Sequence, residues 1–199
     1  MKRLIIIGAS GHGKVVADIA QLNGYEHIFF LDDNESIKEC AGFPVIGTSL
    51  NAPEGDVFIA IGNAAMRKRL AEHYRDRNQP VLVHPNAVIA KGVVIDSGTA
   101  VMAGAVINPG ATIGRGCIVN TCSSVDHDCI VSDYVHIAVG AHLCGTVTVD
   151  ENTWIGAGAV ISNNISICKD CMIGAGAVVV KSIFVSGKYL GVPAALKEE

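Results

Sequence analysis

The second half of the chain carries a strict repeat of apolar and small positions. From Ile89 to Val179 every sixth residue is a branched aliphatic, sixteen in succession. Three residues after each aliphatic, twelve of the sixteen positions hold Gly, Asn or Asp, the residues that best tolerate positive φ. Two residues before it the side chain is generally small or β-branched, and Cys117, Cys129 and Cys171 occupy this slot. A period of six fits neither an α-helix nor a hairpin sheet, so the pattern predicts short strands that each end in a sharp turn.

Three such units would close a triangular coil of eighteen residues, and successive coils would stack as parallel strands about 4.8 Å apart. The pattern therefore predicts an all-β parallel β-helix of a little over five coils, with a C-terminal tail, over residues 83–199. Residues eighteen apart then lie above one another. His136 should stack between Ile118 and Trp154, and Gly145 should lie one coil above His127.

The first half alternates apolar strands with helical spacing. Strands are predicted over residues 2–8, 27–31, 56–61 and 80–83, with helices after the first and third. We interpret residues 1–82 as an α/β Rossmann-like domain. The glycine-rich turn at residues 8–13 would place backbone amides at a helix N-terminus, which suits a phosphate. Its G-x-x-G-x-G spacing departs from the dinucleotide fingerprint, and eighty residues are few for a dinucleotide domain, so an oxidoreductase is disfavoured.

Composition excludes several classes of protein. The formal net charge of −4 is not the basic charge that is typical of nucleic-acid-binding proteins. No apolar stretch reaches the roughly 18 residues of a membrane helix, and Gly8 interrupts the start before a signal-peptide core develops. We therefore expect a cytoplasmic protein without membrane insertion. Cys168 and Cys171 form a C-x-x-C that the repeat explains without redox or zinc chemistry, and no histidines show a metal-ligand spacing, so no metal is expected.

The repeat at residues 83–193 resembles the hexapeptide-repeat acyltransferases. The motifs G-A-S-G-H-G at 8–13, L-D-D at 31–33 and I-G-N at 61–63 resemble the substrate domain of bacterial nucleotide-sugar N-acetyltransferases of the bacillosamine type. The related sialic acid O-acetyltransferases share this architecture. The resemblance implies a left-handed β-helix, a homotrimer with active sites between protomers, acetyl-CoA as co-substrate, and a nucleotide sugar held by the first domain.

His127 is the candidate general base. Acetyl transfer from a thioester to an amine needs a base, an aligned site and a donor for the oxyanion. His127 lies at a turn, and its neighbours Asp126 and Asp128 can fix its tautomer and raise its basicity. The absent side chain at Gly145 is expected to open space beside the imidazole for the substrate or thioester. In the family that this chain resembles, the histidine is the catalytic base and the following acid, here Asp128, tunes it.

The resemblance also implies ligand contacts at matching positions. Substrate contacts are expected at Gly11, His12, Gly13, Asp32, Asp33, Gly62, Asn63, Arg67 and Asn120. Cofactor contacts are expected at His136, Gly145, Ala157, Ala175, Val192 and Pro193. The closing G-V-P-A motif is commonly followed by Lys or Arg in the family, whereas Ala195 follows it here.

The leading hypothesis is an acetyl-CoA-dependent N-acetyltransferase acting on a nucleotide-linked amino deoxysugar of the UDP-4-amino-4,6-dideoxy-N-acetylglucosamine type. O-acetylation of sialic acid and N-acetylation of a perosamine-type GDP-sugar are alternatives within the enzyme class. From a different class, a non-catalytic β-helix binding or scaffold protein is the alternative. The sequence identifies neither the sugar nor the nucleotide base.

Overall fold

The structure is a computed structural model that describes residues 2–197. Its elements, in chain order, are β1 (Arg3–Ile7), α1 (Gly11–Leu22), β2 (His27–Leu31), β3 (Glu39–Cys40), β4 (Phe43–Pro44), β5 (Asp56–Ile59), α2 (Ala64–His73), β6 (Leu82–Val83), β7 (Val88–Ile89), β8 (Val94–Ile95), β9 (Ala100–Val101), β10 (Val106–Ile107), β11 (Thr112–Ile113), β12 (Ile118–Val119), β13 (Ser124–Val125), β14 (Ile130–Val131), β15 (His136–Ile137), β16 (His142–Leu143), β17 (Thr148–Val149), β18 (Trp154–Ile155), β19 (Val160–Ile161), β20 (Ser166–Ile167), β21 (Met172–Ile173), β22 (Val178–Val179), β23 (Lys188–Leu190) and β24 (Ala195–Leu196).

The N-terminal part is built on a parallel three-stranded sheet in the order β2-β1-β5. β1 is apolar throughout its buried length, as expected for a strand covered on both faces. Leu4 and Ile6 pack in one buried cluster with residues of α1, whereas Ile5 and Ile7 pack in another with Leu70 of α2. The two helices therefore cover opposite faces of the sheet. The predicted α/β domain is confirmed, and the short hairpin of β3 and β4 was not predicted.

The strand predicted at residues 80–83 does not join this sheet. It forms as β6, which pairs in parallel with β9. β6 is therefore the first strand of the solenoid that follows.

The second part is a parallel β-solenoid with three sheets. We call the sheet of β6, β9, β12, β15, β18, β21, β23 and β24 the domain-facing sheet. The second sheet holds β7, β10, β13, β16, β19 and β22, and the third holds β8, β11, β14, β17 and β20. Pairing follows the eighteen-residue register, with His136 between Ile118 and Trp154. The predicted β-helix is confirmed, and β6 and β23 extend the domain-facing sheet in parallel beyond the repeat.

The turns and the interior follow the sequence repeat. The inward aliphatics and the small residues two positions before them form one continuous buried cluster. Positive φ occurs at the predicted turn glycines and also at Cys122, Tyr134 and Thr146, which lie in the same slot of the repeat. Tertiary packing thus imposes the left-handed backbone conformation even where the residue type does not favour it.

The two parts are joined by an apolar contact. Ala100, Met102 and Ile118 project from the domain-facing sheet into the buried cluster that contains α1. Tyr134, in the turn before β15, packs into the cluster that contains α2. Apolar contacts with both helices fix the position of the N-terminal sheet on this side of the solenoid.

Arg67 of α2 adds a polar connection at the same junction. The side chain is 1% exposed. Its guanidinium donates hydrogen bonds to the carbonyl oxygens of Gly116 (2.6 Å), Tyr134 (2.8 Å), Ile61 (2.8 Å) and Gly62 (3.0 Å). Burial lowers the pKa of Arg67 to about 10. The residue therefore connects α2 to two turns of the solenoid.

None of the helices described in residues 2–197 is both long enough and apolar enough to span a membrane.

Candidate active site

His127 and Asp128 form a hydrogen-bonded pair in the turn between β13 and β14. The His127 Nδ1 atom lies 2.9 Å from Asp128 Oδ2, and both side chains are exposed. Asp126 Oδ1 accepts hydrogen bonds from Asn108 Nδ2 (2.8 Å) and from the His127 amide (2.8 Å). The hydrogen bond to Asp128, and the charges of Asp126 and Asp128, raise the pKa of His127. With Nδ1–H donating to a carboxylate, Nε2 keeps its lone pair and can act as a base.

Two glycines on neighbouring coils make room for this pair. A Cβ atom added at Gly145, one coil above, would lie 2.6 Å from His127 Cε1. A Cβ atom added at Gly110, one coil below Asp128, would overlap the carboxylate oxygen Oδ1. The absent side chain at Gly145 therefore makes room for the imidazole itself, and the expected contact of a ligand at Gly145 stays a prediction. Gly110 was missed, although the eighteen-residue register gives its position.

A second group of candidate residues lies between α2 and the domain-facing sheet. His136 and Trp154 stack there with ring centroids 5.6 Å apart and an interplanar angle of 3°. The rings border a cavity of about 550 Å³. Its lining residues are Gly62, Asn63, Ala64, Ala65, His136, Asn152, Thr153, Trp154, Asp170, Cys171 and Met172. Trp154 and Met172 were not predicted as site residues, although both are in register with His136.

His136 at this cavity and His12 at the start of α1 are both held neutral. Burial, with contributions from the charges of Arg67 and His12, lowers the pKa of His136 to about 3. Burial and Arg67 likewise lower the pKa of His12 to about 4. His12 Nε2 is buried and has no hydrogen-bond partner within the described chain. Both rings can therefore donate or accept a hydrogen bond but carry no charge near neutral pH.

Packing and hydrogen bonding within the protein hold the glycine-rich turn in place. Gly11 begins α1 with open space around it, whereas a Cβ atom at Gly13 would overlap the Gly8 carbonyl oxygen. Asp32 Oδ2 accepts a hydrogen bond from the Ala9 amide at 2.7 Å. The structure thus brings the end of β2 against this turn, and Gly13 is required for the packing of α1.

Other residues of the first domain that were expected to contact the substrate form hydrogen bonds within the protein. Asp33 accepts hydrogen bonds from the Ser49 amide (2.8 Å) and hydroxyl (2.9 Å). Asn63 caps α2 by accepting from the Met66 amide at 2.9 Å, yet it also borders the cavity. The expectation that Arg67 contacts the substrate is wrong for this structure, because the guanidinium is buried and committed to four backbone carbonyls.

Two of the expected cofactor residues, Ala157 and Ala175, lie along one corner of the solenoid, whereas His136 lies in the domain-facing sheet and Gly145 lies at the corner of His127. Ala157 and Ala175 are exposed between the domain-facing and second sheets, one coil apart, and the Gly176 amide donates to the Ala157 carbonyl at 2.8 Å. Val192 and Pro193 are exposed in the C-terminal segment. His127 occupies the corner between the second and third sheets. A single chain therefore does not bring its His127 to its own cavity or to this corner.

No group of three or more His, Cys, Asp or Glu side chains within residues 2–197 is arranged to hold a metal ion. Cys168 and Cys171 are free thiols with sulfur atoms 3.6 Å apart. Cys171 is buried, and burial raises its pKa to about 12. This side chain packs as part of the solenoid core.

Two family models match the chain. The PglD N-terminal domain matches residues 3–74, and the bacterial transferase hexapeptide (six repeats) matches residues 146–181. The chain is 38% identical over 109 residues to UDP-N-acetylbacillosamine N-acetyltransferase of Bacillus subtilis (strain 168), a match that spans 50% of each chain. It is 34% identical over 163 residues to GDP-perosamine N-acetyltransferase of Escherichia coli O157:H7, covering 76% of this chain and 74% of the relative.

Solved structures of acetyltransferases are also similar to this chain, over nearly its full length. The acetyltransferase domain of PglB from Neisseria gonorrhoeae FA1090, in complex with acetyl coenzyme A, has a TM-score of 0.94 and 40% identity, covering 98% of this chain and 99% of that one. PerB from Caulobacter crescentus, in complex with CoA and GDP-perosamine, has a TM-score of 0.95 and 34% identity, covering 100% of this chain and 98% of that one. The chain therefore belongs to the family of bacterial hexapeptide-repeat acetyltransferases with a PglD-type N-terminal domain.

Proposed function

We propose that the protein transfers the acetyl group of acetyl-CoA to the amino group of a nucleotide-linked amino deoxysugar. The relatives in sequence are N-acetyltransferases named for a UDP-sugar and a GDP-sugar, and the solved neighbours hold acetyl-CoA or CoA. These names favour an enzyme over the scaffold alternative and N-acetylation over O-acetylation of sialic acid. Our first choice of substrate is UDP-4-amino-4,6-dideoxy-N-acetylglucosamine, and the second is a GDP-perosamine-type sugar.

The observation that carries this proposal is the His127–Asp128 pair. Asp128 accepts the Nδ1–H of His127, so the free Nε2 is available to take a proton. His127 would accept that proton as the amine nitrogen attacks the thioester carbonyl and the C–N bond forms. The same imidazolium would then return the proton to the departing thiolate as the C–S bond breaks. Asp128 would hold the ring orientation through both steps.

The architecture favours active sites shared between protomers. The N-terminal domain and its cavity lie against the domain-facing sheet, whereas His127 lies at the corner opposite that sheet. The exposed Val88 of the second sheet, and Val94 and Ile130 of the third, give apolar surface next to this corner. A homotrimer would place His127 of one protomer near the cofactor corner and cavity of its neighbour. The small side chains Ala157 and Ala175 suit a corner along which an extended pantetheine arm can lie.

Steady-state turnover of acetyl-CoA tests this function. Activity should appear with one or more members of a panel of UDP- and GDP-amino sugars and be absent with free sialic acid. In the His127→Ala variant, kcat should fall about a hundredfold or more, in line with general-base contributions of roughly 10² to 10⁴. Transfer to sialic acid alone would overturn the substrate class. Wild-type rates in His127→Ala would show that the amine needs no base from this residue.

A further inference from the structure

The side chain of Asn120 is held between two partners that define its orientation. The Thr121 amide lies 2.8 Å from Asn120 Oδ1. A backbone amide can only donate, so this contact identifies the carbonyl end of the Asn120 side chain. The NH₂ end then faces the imidazole of His136, with Nδ2 and Nε2 3.2 Å apart.

This orientation determines which nitrogen of His136 carries the proton. An amide NH₂ cannot accept a hydrogen bond, so His136 Nε2 must be the acceptor and must be unprotonated. Burial, with the charges of Arg67 and His12, lowers the pKa of His136 and keeps the ring neutral. Asp170 is the one carboxylate among the residues lining the cavity. A neutral imidazole holds one N–H, which is therefore on Nδ1.

The Nδ1–H group is free to serve a ligand. No hydrogen-bond partner for His136 Nδ1 exists among residues 2–197, and the ring borders the cavity. The parallel stack against Trp154 fixes the plane of the ring, and thus the direction of the N–H bond. A preorganised donor of this kind costs little reorganisation when an acceptor arrives.

We propose that Asn120 is a positioning residue that holds His136 as the Nδ1–H tautomer, so that Nδ1–H donates to an oxygen acceptor of the bound ligand. The tautomer follows from the free protein alone, whereas the ligand rests on the proposed function. The acceptor is an oxygen of acetyl-CoA or of the nucleotide sugar, and kinetics separate the two. Asn120 is thereby assigned to orient His136 rather than to contact the substrate itself.

The Asn120→Asp variant reverses the polarity of the contact. One carboxylate oxygen can still accept from the Thr121 amide, so the turn should be preserved. The other oxygen can only accept, so it should draw the proton to His136 Nε2 and leave Nδ1 bare. Asn86→Asp is the matched control, because Asn86 is exposed and makes no side-chain hydrogen bond among the described residues.

The tautomer is measured by ¹⁵N NMR of histidine-labelled protein at pH 8, where His136 should remain neutral even beside a carboxylate. Wild type and Asn86→Asp should show protonated Nδ1 and bare Nε2 for His136, and Asn120→Asp should show the reverse. Asn120→Ala should give a mixture. Protonated Nε2 in the wild type, or an unchanged tautomer in Asn120→Asp, would overturn the assignment.

Kinetics test the ligand half of the proposal. In Asn120→Asp the KM for one co-substrate should rise about tenfold, the loss expected for one hydrogen bond, while the KM for the other changes little. A rise for acetyl-CoA identifies that molecule as the acceptor, and a rise for the nucleotide sugar identifies the sugar. A reversed tautomer with both KM values unchanged would show that His136 donates to neither. Failure of the proposed function would instead appear as wild-type protein that transfers no acetyl group to any UDP- or GDP-amino sugar of the panel.

Discussion

Replacing Gly145 with alanine should inactivate the enzyme without unfolding it. The added Cβ atom would lie 2.6 Å from His127 Cε1, whereas ordinary contact begins near 3.4 Å. The imidazole must therefore move by about 1 Å, and a misplacement of that size can cost on the order of a hundredfold in rate. Because His127 is exposed, its ring can swing away without disturbing the core, so the free energy of unfolding should change by less than about 1 kcal/mol. Steady-state kinetics and urea unfolding measure the two quantities.

A double-mutant cycle with His127→Ala separates this steric effect from others. Once the imidazole is absent, Gly145→Ala should lower kcat no further, because nothing remains for the Cβ atom to displace. An equal loss in both backgrounds would mean that Gly145 acts without His127, for example by direct contact with acetyl-CoA. A full-rate Gly145→Ala enzyme would refute the placement of the imidazole over this glycine.

The His127 pair, the separation of the two histidines and the burial of Arg67 can each be tested by substitution. Asp128→Asn should lower kcat less than His127→Ala does, and it should move the acidic limb of the pH–rate profile to lower pH. Asp128 raises the pKa of His127, so its loss lowers the pH at which the base becomes protonated. A shift of this limb to higher pH would contradict the role of Asp128. Mixed oligomers of His127→Ala and His136→Ala chains should recover part of the activity if sites are shared between protomers, and none if each chain acts alone. Arg67→Met should lower the free energy of unfolding by about 3 kcal/mol, because buried carbonyls lose a charged donor. Arg69 is exposed, so Arg69→Met should change the free energy of unfolding by less than about 0.5 kcal/mol. Equal effects of the two substitutions in urea unfolding would contradict the connecting role of Arg67.

The register of the solenoid could be predicted because its contacts are local along the chain. Each coil touches the coil eighteen residues away, so a single period fixed the stack of Ile118, His136 and Trp154 and placed Gly145 above His127. The same reasoning identified the buried slot of Cys171. What it did not give was the side-chain conformation within each stack. The ring of His127 occupies the gap at Gly145 because an exposed turn lets it rotate there.

Residue types at fixed spacings were sufficient to define the two architectures, the turn positions and the candidate base. The place of the N-terminal domain on the solenoid emerged only from the folded chain, because that contact joins residues far apart in sequence through complementary surfaces. The position of Arg67 shows the difference: its matching motif implied a ligand contact, yet docking of α2 brings it to the carbonyls of Gly116 and Tyr134, where it is buried. Docking likewise created the cavity beside His136 and desolvated its ring, which no repeat pattern encodes.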